Sequence, residues 1–432
     1  MEINIYYQWK FYCIQKNNRI FASEEILISM ITKVDIENVI SQQMRVMASS
    51  DSYPREQLSE ITIPYPGFAY IISGIRRCGK STLVGQLLRP REDDSIYVKF
   101  DTPRLYGFSM EQFRLLDAII AEKEPKYLFF DEIQVVEGWE IYVLGKLDEG
   151  YNVVVTGSNA TMLSKELGTR LTGRHIAKSL YPFSYSEYVG YLNKEYCASS
   201  LRDYLADGGF PAYLNIGDEE VLAQLAEDVL YRDIMVRYGI KESMPLKKLA
   251  TYLASNCARL TSANNLRDVI GVKSSQTVID YFSYLSDAYF FHFVSKFSYS
   301  YRSQQLNPKK VYCIDTGLQS VLTTSFSQDE GRRLENMVYL ELLRRGGEIH
   351  YYAERGSECD FVVSHKNKVD TAIQVCLEVD DENRTREVKG LLSAMSAFDL
   401  RQGIILTENQ TDALIEDGRQ IDIVPVWQWC RR

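Results

Sequence analysis

The octapeptide Gly74-Ile75-Arg76-Arg77-Cys78-Gly79-Lys80-Ser81 constrains this chain more than any other stretch. It follows Phe68-Ala69-Tyr70-Ile71-Ile72-Ser73, which reads as a buried strand. It precedes Thr82-Leu83-Val84-Gly85-Gln86-Leu87-Leu88, which reads as a helix. The octapeptide fits G-x-x-x-x-G-K-[ST], a phosphate-binding loop, and strand–loop–helix is the context that the pattern needs. Its glycines let successive backbone N–H groups curl around phosphate oxygens at a helix N-terminus. Lys80 then reaches the terminal phosphates and the Ser81 hydroxyl holds Mg2+, with the backbone from Gly74 through Thr82 as the expected cradle. A surface turn with a stray lysine is the bland alternative, and the two flanks weigh against it.

A second motif supports the first. Tyr127-Leu128-Phe129-Phe130-Asp131-Glu132 is an apolar strand ending in two carboxylates. Such a pair divides the labour of triphosphate hydrolysis: Asp131 holds the metal through water, and Glu132 polarises the attacking water. A strand at residues 96–100 lies between the two motifs, as in P-loop proteins that carry a catalytic Glu. A third strand, Val153-Val154-Val155-Thr156, ends in Gly157-Ser158-Asn159. Either Ser158 or Asn159 is placed to sense the terminal phosphate from a strand between the other two. The bland reading is a strand-ending turn. Arg170 and Arg174, in Gly168-Thr169-Arg170-Leu171-Thr172-Gly173-Arg174-His175, are candidate arginine fingers for a nucleotide in the same or a neighbouring subunit. Solvated loop charges are the competing reading.

The chain has 432 residues, enough for two to four domains. Its four apolar runs, residues 69–73, 96–100, 127–131 and 152–157, alternate with helical patterns. That argues for a parallel sheet covered on both faces. The net charge of -9 gives no global basic field, so nucleic acid binding would need a local patch. The eight cysteines include no C-x-x-C pair and only four histidines accompany them, which argues against a zinc site or a disulfide framework. A reducing, cytoplasmic setting is expected. No apolar run approaches membrane-spanning length, and the first residues lack a signal-peptide pattern.

Together these stretches resemble the bacterial and archaeal AAA-type ATPases that carry a C-terminal domain of unknown function. The likeness rests on residues 74–81 with their double Arg, on Phe130-Asp131-Glu132-Ile133-Gln134 and on Thr156-Gly157-Ser158-Asn159-Ala160. Leu171-Thr172-Gly173-Arg174 and Tyr181-Pro182-Phe183-Ser184-Tyr185-Ser186-Glu187-Tyr188 follow in order. The resemblance implies an α/β P-loop AAA-like parallel sheet, then a helical and winged-helix-like region, then a smaller α/β restriction-endonuclease-like domain. The expected boundaries are 1–48, unassigned; 49–190, ATPase; 191–300, helical and winged-helix-like; and 301–432, nuclease-like. ATP and Mg2+ are the implied ligands, and a homo-oligomer is implied by resemblance only.

Residues 246–297 suggest a winged helix by their own pattern. Three helical stretches precede an apolar hairpin, with Ser274 or Ser275 capping the third. That third helix is poor in basic residues, so packing or protein contact is favoured over DNA reading. The basic aromatic stretch at 296–310 is a candidate for nucleic-acid backbone contact. In the C-terminal region, Glu335 and Asp360 stand where active nuclease-like folds place acids. Gln374 and Cys376 stand where those folds place Glu and Lys. Gln is a poor ligand for a hard cation and Cys supplies no ammonium, so the site reads as vestigial, with Lys389 as a candidate replacement. The primary expectation is an ATPase that couples nucleotide state to a partner-binding module. A nucleotide-gated adaptor with negligible turnover, holding protein or DNA, and an ATP-dependent DNA-cleaving enzyme are the alternatives.

Overall fold

The computed structural model describes residues 31–49, 52–61, 63, 67–158, 171, 173–323 and 330–431. Its first unit is built on a five-stranded, all-parallel sheet in the order β2-β3-β4-β1-β5. The strands are β1 (Ala69–Ser73), β2 (Ser95–Lys99), β3 (Tyr127–Asp131), β4 (Asn152–Gly157) and β5 (His175–Ser179). Around them lie α1 (Lys33–Ser49), α2 (Lys80–Leu88), α3 (Phe113–Lys123) and α4 (Trp139–Asp148).

Strand periodicity explains the two layers. Ala69, Ile71, Ile96, Val98, Leu128, Phe130, Val153 and Val155 pack on one face against Leu116, Ile119 and Ile120 of α3 and Trp139 and Val143 of α4. Tyr70, Ile72, Tyr97, Phe129 and Val154 face the other way, into a core shared with Leu83, Val84 and Leu87 of α2. All five residues of β1 are buried, as a central strand between two covered faces requires. Helix α1, part of the segment left unassigned from sequence, belongs to this unit. Its Ile36, Val39 and Ile40 join the first of these layers, and Gln43 bonds Lys99 through both backbone groups.

The middle unit begins with α5 (Tyr185–Tyr191), α6 (Ala198–Asp207), α7 (Pro211–Ile216) and α8 (Glu220–Asp228). Helix α8 runs directly into a π-helical stretch at Val229–Val236. Next come α9 (Ser243–Ser255), β6 (Leu260–Thr261), α10 (Ala263–Ile270), α11 (Ser275–Asp287), β7 (Phe291–Val294), α12 (Tyr301–Leu306) and β8 (Lys309–Cys313). Ser274 caps α11 by accepting from Gln276 N–H. Strands β6, β8 and β7 form an antiparallel three-stranded sheet in that order. Strand β8 completes this sheet from beyond residue 300, so the boundary expected there passes through it.

The last unit contains α13 (Thr316–Leu322), α14 (Glu330–Arg345), β9 (Glu348–Glu354), β10 (Ser357–His365), β11 (Lys368–Val375), α15 (Arg384–Ala397), β12 (Gln402–Thr407), β13 (Asp412–Glu416), β14 (Arg419–Pro425) and α16 (Val426–Trp429). Its six strands form a mixed sheet, β13-β14-β12-β11-β10-β9, parallel only at β11–β12 and β12–β14. One apolar core runs from Val84 of the first unit through Leu249 of the middle unit to Trp429 of the last. Among the described residues, no helix is long and apolar enough to cross a membrane.

Candidate functional site

The phosphate-loop residues join β1 to α2. Gly79 sits at φ 102, a left-handed conformation that turns the chain into α2 without side-chain strain. A Cβ on Gly74 would stand 2.1 Å from the Leu180 carbonyl, so only glycine fits where the loop leaves the sheet. Arg55 braces the loop from behind. Its Nη1 donates to the Cys78 carbonyl at 2.8 Å and its Nη2 to the Tyr181 carbonyl at 2.8 Å, while Nε bonds Glu187 at 2.7 Å. Glu187 is also the third residue of the α5 capping box begun by Ser184.

Lys80 is buried, and its Nζ donates to the Gly74 and Ile75 carbonyls at 3.0 and 3.2 Å. The same nitrogen lies 3.6 Å from Glu132 Oε1. Burial opposes the ammonium, but nearby Cys78, Glu132 and Asp131 outweigh it and hold the Lys80 pKa above its ordinary value. The loop and the acid-tipped strand, separated by about fifty residues of chain, therefore meet. Strand β4 lies between β3 and β1.

Three residues not singled out from sequence organise the acids. Tyr97 donates its hydroxyl to Asp131 Oδ2 at 2.7 Å, and Thr156 donates to Asp131 Oδ1. Thr156 also accepts the Glu132 backbone N–H at 3.0 Å. Gln134 donates its amide to Glu132 Oε2, and its own Oε1 is buried with no protein partner among the described residues. Tyr97 and Thr156 looked like ordinary strand residues in the sequence. Tyr97 lies in the middle of β2 and carried no signal, whereas Thr156 lies next to the last residue of β4, in the stretch 156–160 that carries the resemblance. Ser81 lines a cleft of about 450 Å3 with Tyr97, Lys99, Thr102, Gln43 and Arg104. The cleft opens at the carboxyl ends of the strands, where open α/β sheets bind ligands.

The remaining candidates divide. Ser158 is buried at the end of β4, whereas Asn159 and Arg170 lie outside the described residues. Arg174 is not near its own phosphate loop. It precedes β5, its carbonyl accepts from Ala69 at the N-terminal end of β1, and its side chain bonds Asp148 at 2.8 Å. The loop leaves the opposite end of β1, so the same-subunit finger reading is corrected: the strand register separates the two. Arg76 and Arg77 turn toward the middle unit. Arg76 forms a bidentate pair with Asp233, at 2.9 and 3.1 Å, and Arg77 lies 3.7 Å from Asp228.

In the last unit, Glu335, Asp360 and Gln374 do come together, around a residue that sequence reasoning missed. Lys310 Nζ lies 3.1 Å from Glu335, 2.8 Å from Glu358 and 2.8 Å from Asp360. Tyr312 donates to Glu335 at 2.7 Å. Gln374 accepts the Asp360 backbone N–H and donates to Glu387 at 2.6 Å. Lys389, the expected replacement ammonium, is exposed on α15; Lys310 of β8 supplies the ammonium instead. A divalent ion does not fit this donor set, because the position shared by the carboxylates is taken by a covalently tethered cation. Among the described residues, no group of three or more His, Cys, Asp and Glu is arranged to hold a metal. Burial, then Asp360, pushes the Glu335 carboxyl up to about 8, with Lys310 pulling the other way.

Comparison with known proteins divides the chain similarly. An AAA domain matches residues 67–189, a domain of unknown function (DUF8612) matches 198–329, and a second (DUF4143) matches 330–429. The uncharacterized protein MJ1544 of Methanocaldococcus jannaschii is 32% identical, over 93% of this chain and 96% of its own. An uncharacterized protein of Haemophilus influenzae is 28% identical over 84% and 94%. Among solved structures, the Aeropyrum pernix ORC1 protein in complex with DNA covers 66% of this chain and 91% of its own, with TM-score 0.27 and 12% identity. Cdc6p of Pyrobaculum aerophilum covers 76% and 98%, with TM-score 0.25 and 13% identity.

Proposed function

We propose, for a chain that belongs to the family of the uncharacterized archaeal protein MJ1544 and carries an AAA domain, that it is a Mg2+-dependent ATPase whose nucleotide state is passed to its middle and C-terminal units. The observation that carries this reading is the approach of Lys80 Nζ to Glu132 Oε1 at 3.6 Å, which joins loop and acid-tipped strand in one site.

Each residue then has a task that its surroundings support. The backbone N–H groups of residues 74–82 cradle the phosphate chain, and Lys80 exchanges the Gly74 and Ile75 carbonyls for phosphate oxygens. Ser81 and Asp131 would hold Mg2+, which supplies charge neutralisation at the bridging and terminal phosphates. The residues fit that role: Asp131 is fixed by two hydroxyls, and an oxygen-rich set is what this cation takes. Glu132 accepts the proton of the attacking water. Its backbone is held by Thr156 and its carboxylate by Gln134, so the base arrives already oriented. Arg174 serves the site of a neighbouring copy, from the exposed edge beside β5, in a homo-oligomer.

The C-terminal unit acts as a partner-binding module rather than a nuclease, because Lys310 occupies the position that a catalytic metal needs. A winged-helix-like unit at α9–β8 and a nuclease-like mixed sheet whose carboxylates are held by Lys310 together suit the holding of DNA or a protein client. Phosphate release from ATP by the purified protein tests the enzymatic reading. The expected result is Mg2+-dependent turnover that falls by about 10²-fold or more in Glu132→Gln, while nucleotide binding persists. Equal phosphate release by wild type and Glu132→Gln overturns it and leaves the adaptor reading.

A further inference from the structure

Two arginines inside the phosphate loop are held by carboxylates of the middle unit. Arg76 and Asp233 share two parallel hydrogen bonds, with the Asp233 side chain 8% exposed and that of Arg76 30% exposed. Arg77, at φ 64, faces Asp228, which Arg232 also approaches at 3.7 Å. Asp228 ends α8, and Asp233 lies within the π-helical stretch Val229–Val236. Eight residues of π-helix exceed the usual single-turn bulge, and such irregularities cluster at functional sites. The stretch is anchored by buried Val229, Leu230, Ile234 and Met235, so a shift of Asp233 carries the middle unit with it.

A guanidinium fork accepts a carboxylate or a phosphate in the same bidentate geometry. Where a phosphate chain enters the loop, Asp228 and Asp233 are like charges beside it and rivals for the same two arginines. Resting on the nucleotide-site reading above, we propose that Asp233, supported by Asp228, is a positioning residue that holds the loop arginines until the terminal phosphate of a triphosphate replaces it. That exchange frees the π-helical stretch and signals the nucleotide state to the middle unit. A diphosphate, lacking the terminal group, drives the exchange less.

The test uses the full chain and two readouts: binding of a fluorescent ATP analogue, and hydrogen exchange of the backbone amides of Val229–Val236. In Asp233→Asn, nearly isosteric, the analogue binds about tenfold tighter, the scale of one charge-assisted hydrogen-bonded pair. The preference for triphosphate over diphosphate widens as well, because a diphosphate competes less with Asp233 for the arginines and gains less from its loss. In wild type, the non-hydrolysed analogue speeds exchange across Val229–Val236; in Asp233→Asn, exchange is already fast and no longer responds. Should Asp233→Asn melt well below wild type, Arg76→Gln cuts the same pair from its exposed side and produces the same fast exchange without nucleotide. Unchanged affinity in Asp233→Asn with wild-type protection of this stretch overturns the latch alone. Absence of nucleotide binding in folded wild type overturns the site reading, and the latch with it.

Discussion

Replacing Arg55 with alanine removes a guanidinium that serves three elements at once. Its side chain is 3% exposed and that of its partner Glu187 is 4% exposed. The variant strips Glu187 of a two-point ion pair, with Nε at 2.7 Å and Nη2 at 3.3 Å, and leaves it the Ser184 and Glu56 backbone N–H groups. The Cys78 and Tyr181 carbonyls lose their donor, and Phe183 loses the cation lying 5.0 Å from its ring centre. Breaking one side of a buried pair costs about 3–5 kcal/mol, because the remaining charge stays buried without compensation. At about 2–4 °C per kcal/mol for a unit of this size, the melting midpoint falls by roughly 10 °C. The pair should also couple: Arg55→Met with Glu187→Gln costs at least about 1–2 kcal/mol less than the sum of the single changes. Differential scanning calorimetry of wild type, Arg55→Ala, the two single variants of the cycle and their double variant reads both quantities. A fall of less than about 3 °C for Arg55→Ala, or strict additivity, would refute the assignment of Arg55 as the brace of the phosphate loop.

Two predictions concern the last unit. Lys310→Met leaves Glu335, Glu358 and Asp360 facing one another, so the protein melts lower in chelator, and added Mn2+ or Ca2+ restores part of the loss. Neither ion alone stabilises that unit of the wild type. Glu335 titrates near 8 in the fold against an ordinary 4.5, so the folded state holds a proton that the unfolded chain has released. Its stabilising contribution is complete below about 4.5 and is lost as pH rises through 8. Thermal melts of Glu335→Gln therefore show a flatter decline than wild type between these limits, and parallel curves contradict the assignment.

Sequence legibility followed the locality of the chemistry. Residues 74–81 were readable because a phosphate cradle needs glycines, a lysine and a hydroxyl in one unbroken run. The strand around Phe130 was readable because a doubly covered strand is apolar throughout and the acids must sit at its tip. Neither Tyr97 nor Thr156 carries such a signature; each becomes a carboxylate partner only once strand order brings β2 and β4 beside β3. In the sequence Lys310 is part of a basic stretch, because its three acids come from residues 25 to 50 positions later, across two elements. Asp233 is about 160 residues from Arg76 and looked like one acid among many. For Arg174 the motif was visible, but the end of the sheet on which it falls is set by the parallel pairing of β5 with β1.

Titration calorimetry with Mg2+ and a slowly hydrolysed ATP analogue tests the central claim most directly, with wild type and Lys80→Ala compared at equal folded fraction. The expected result is one nucleotide bound per chain by wild type, with the heat lost in Lys80→Ala. No heat from folded wild type, or the same isotherm from both proteins, would contradict a phosphate cradle closed by Lys80.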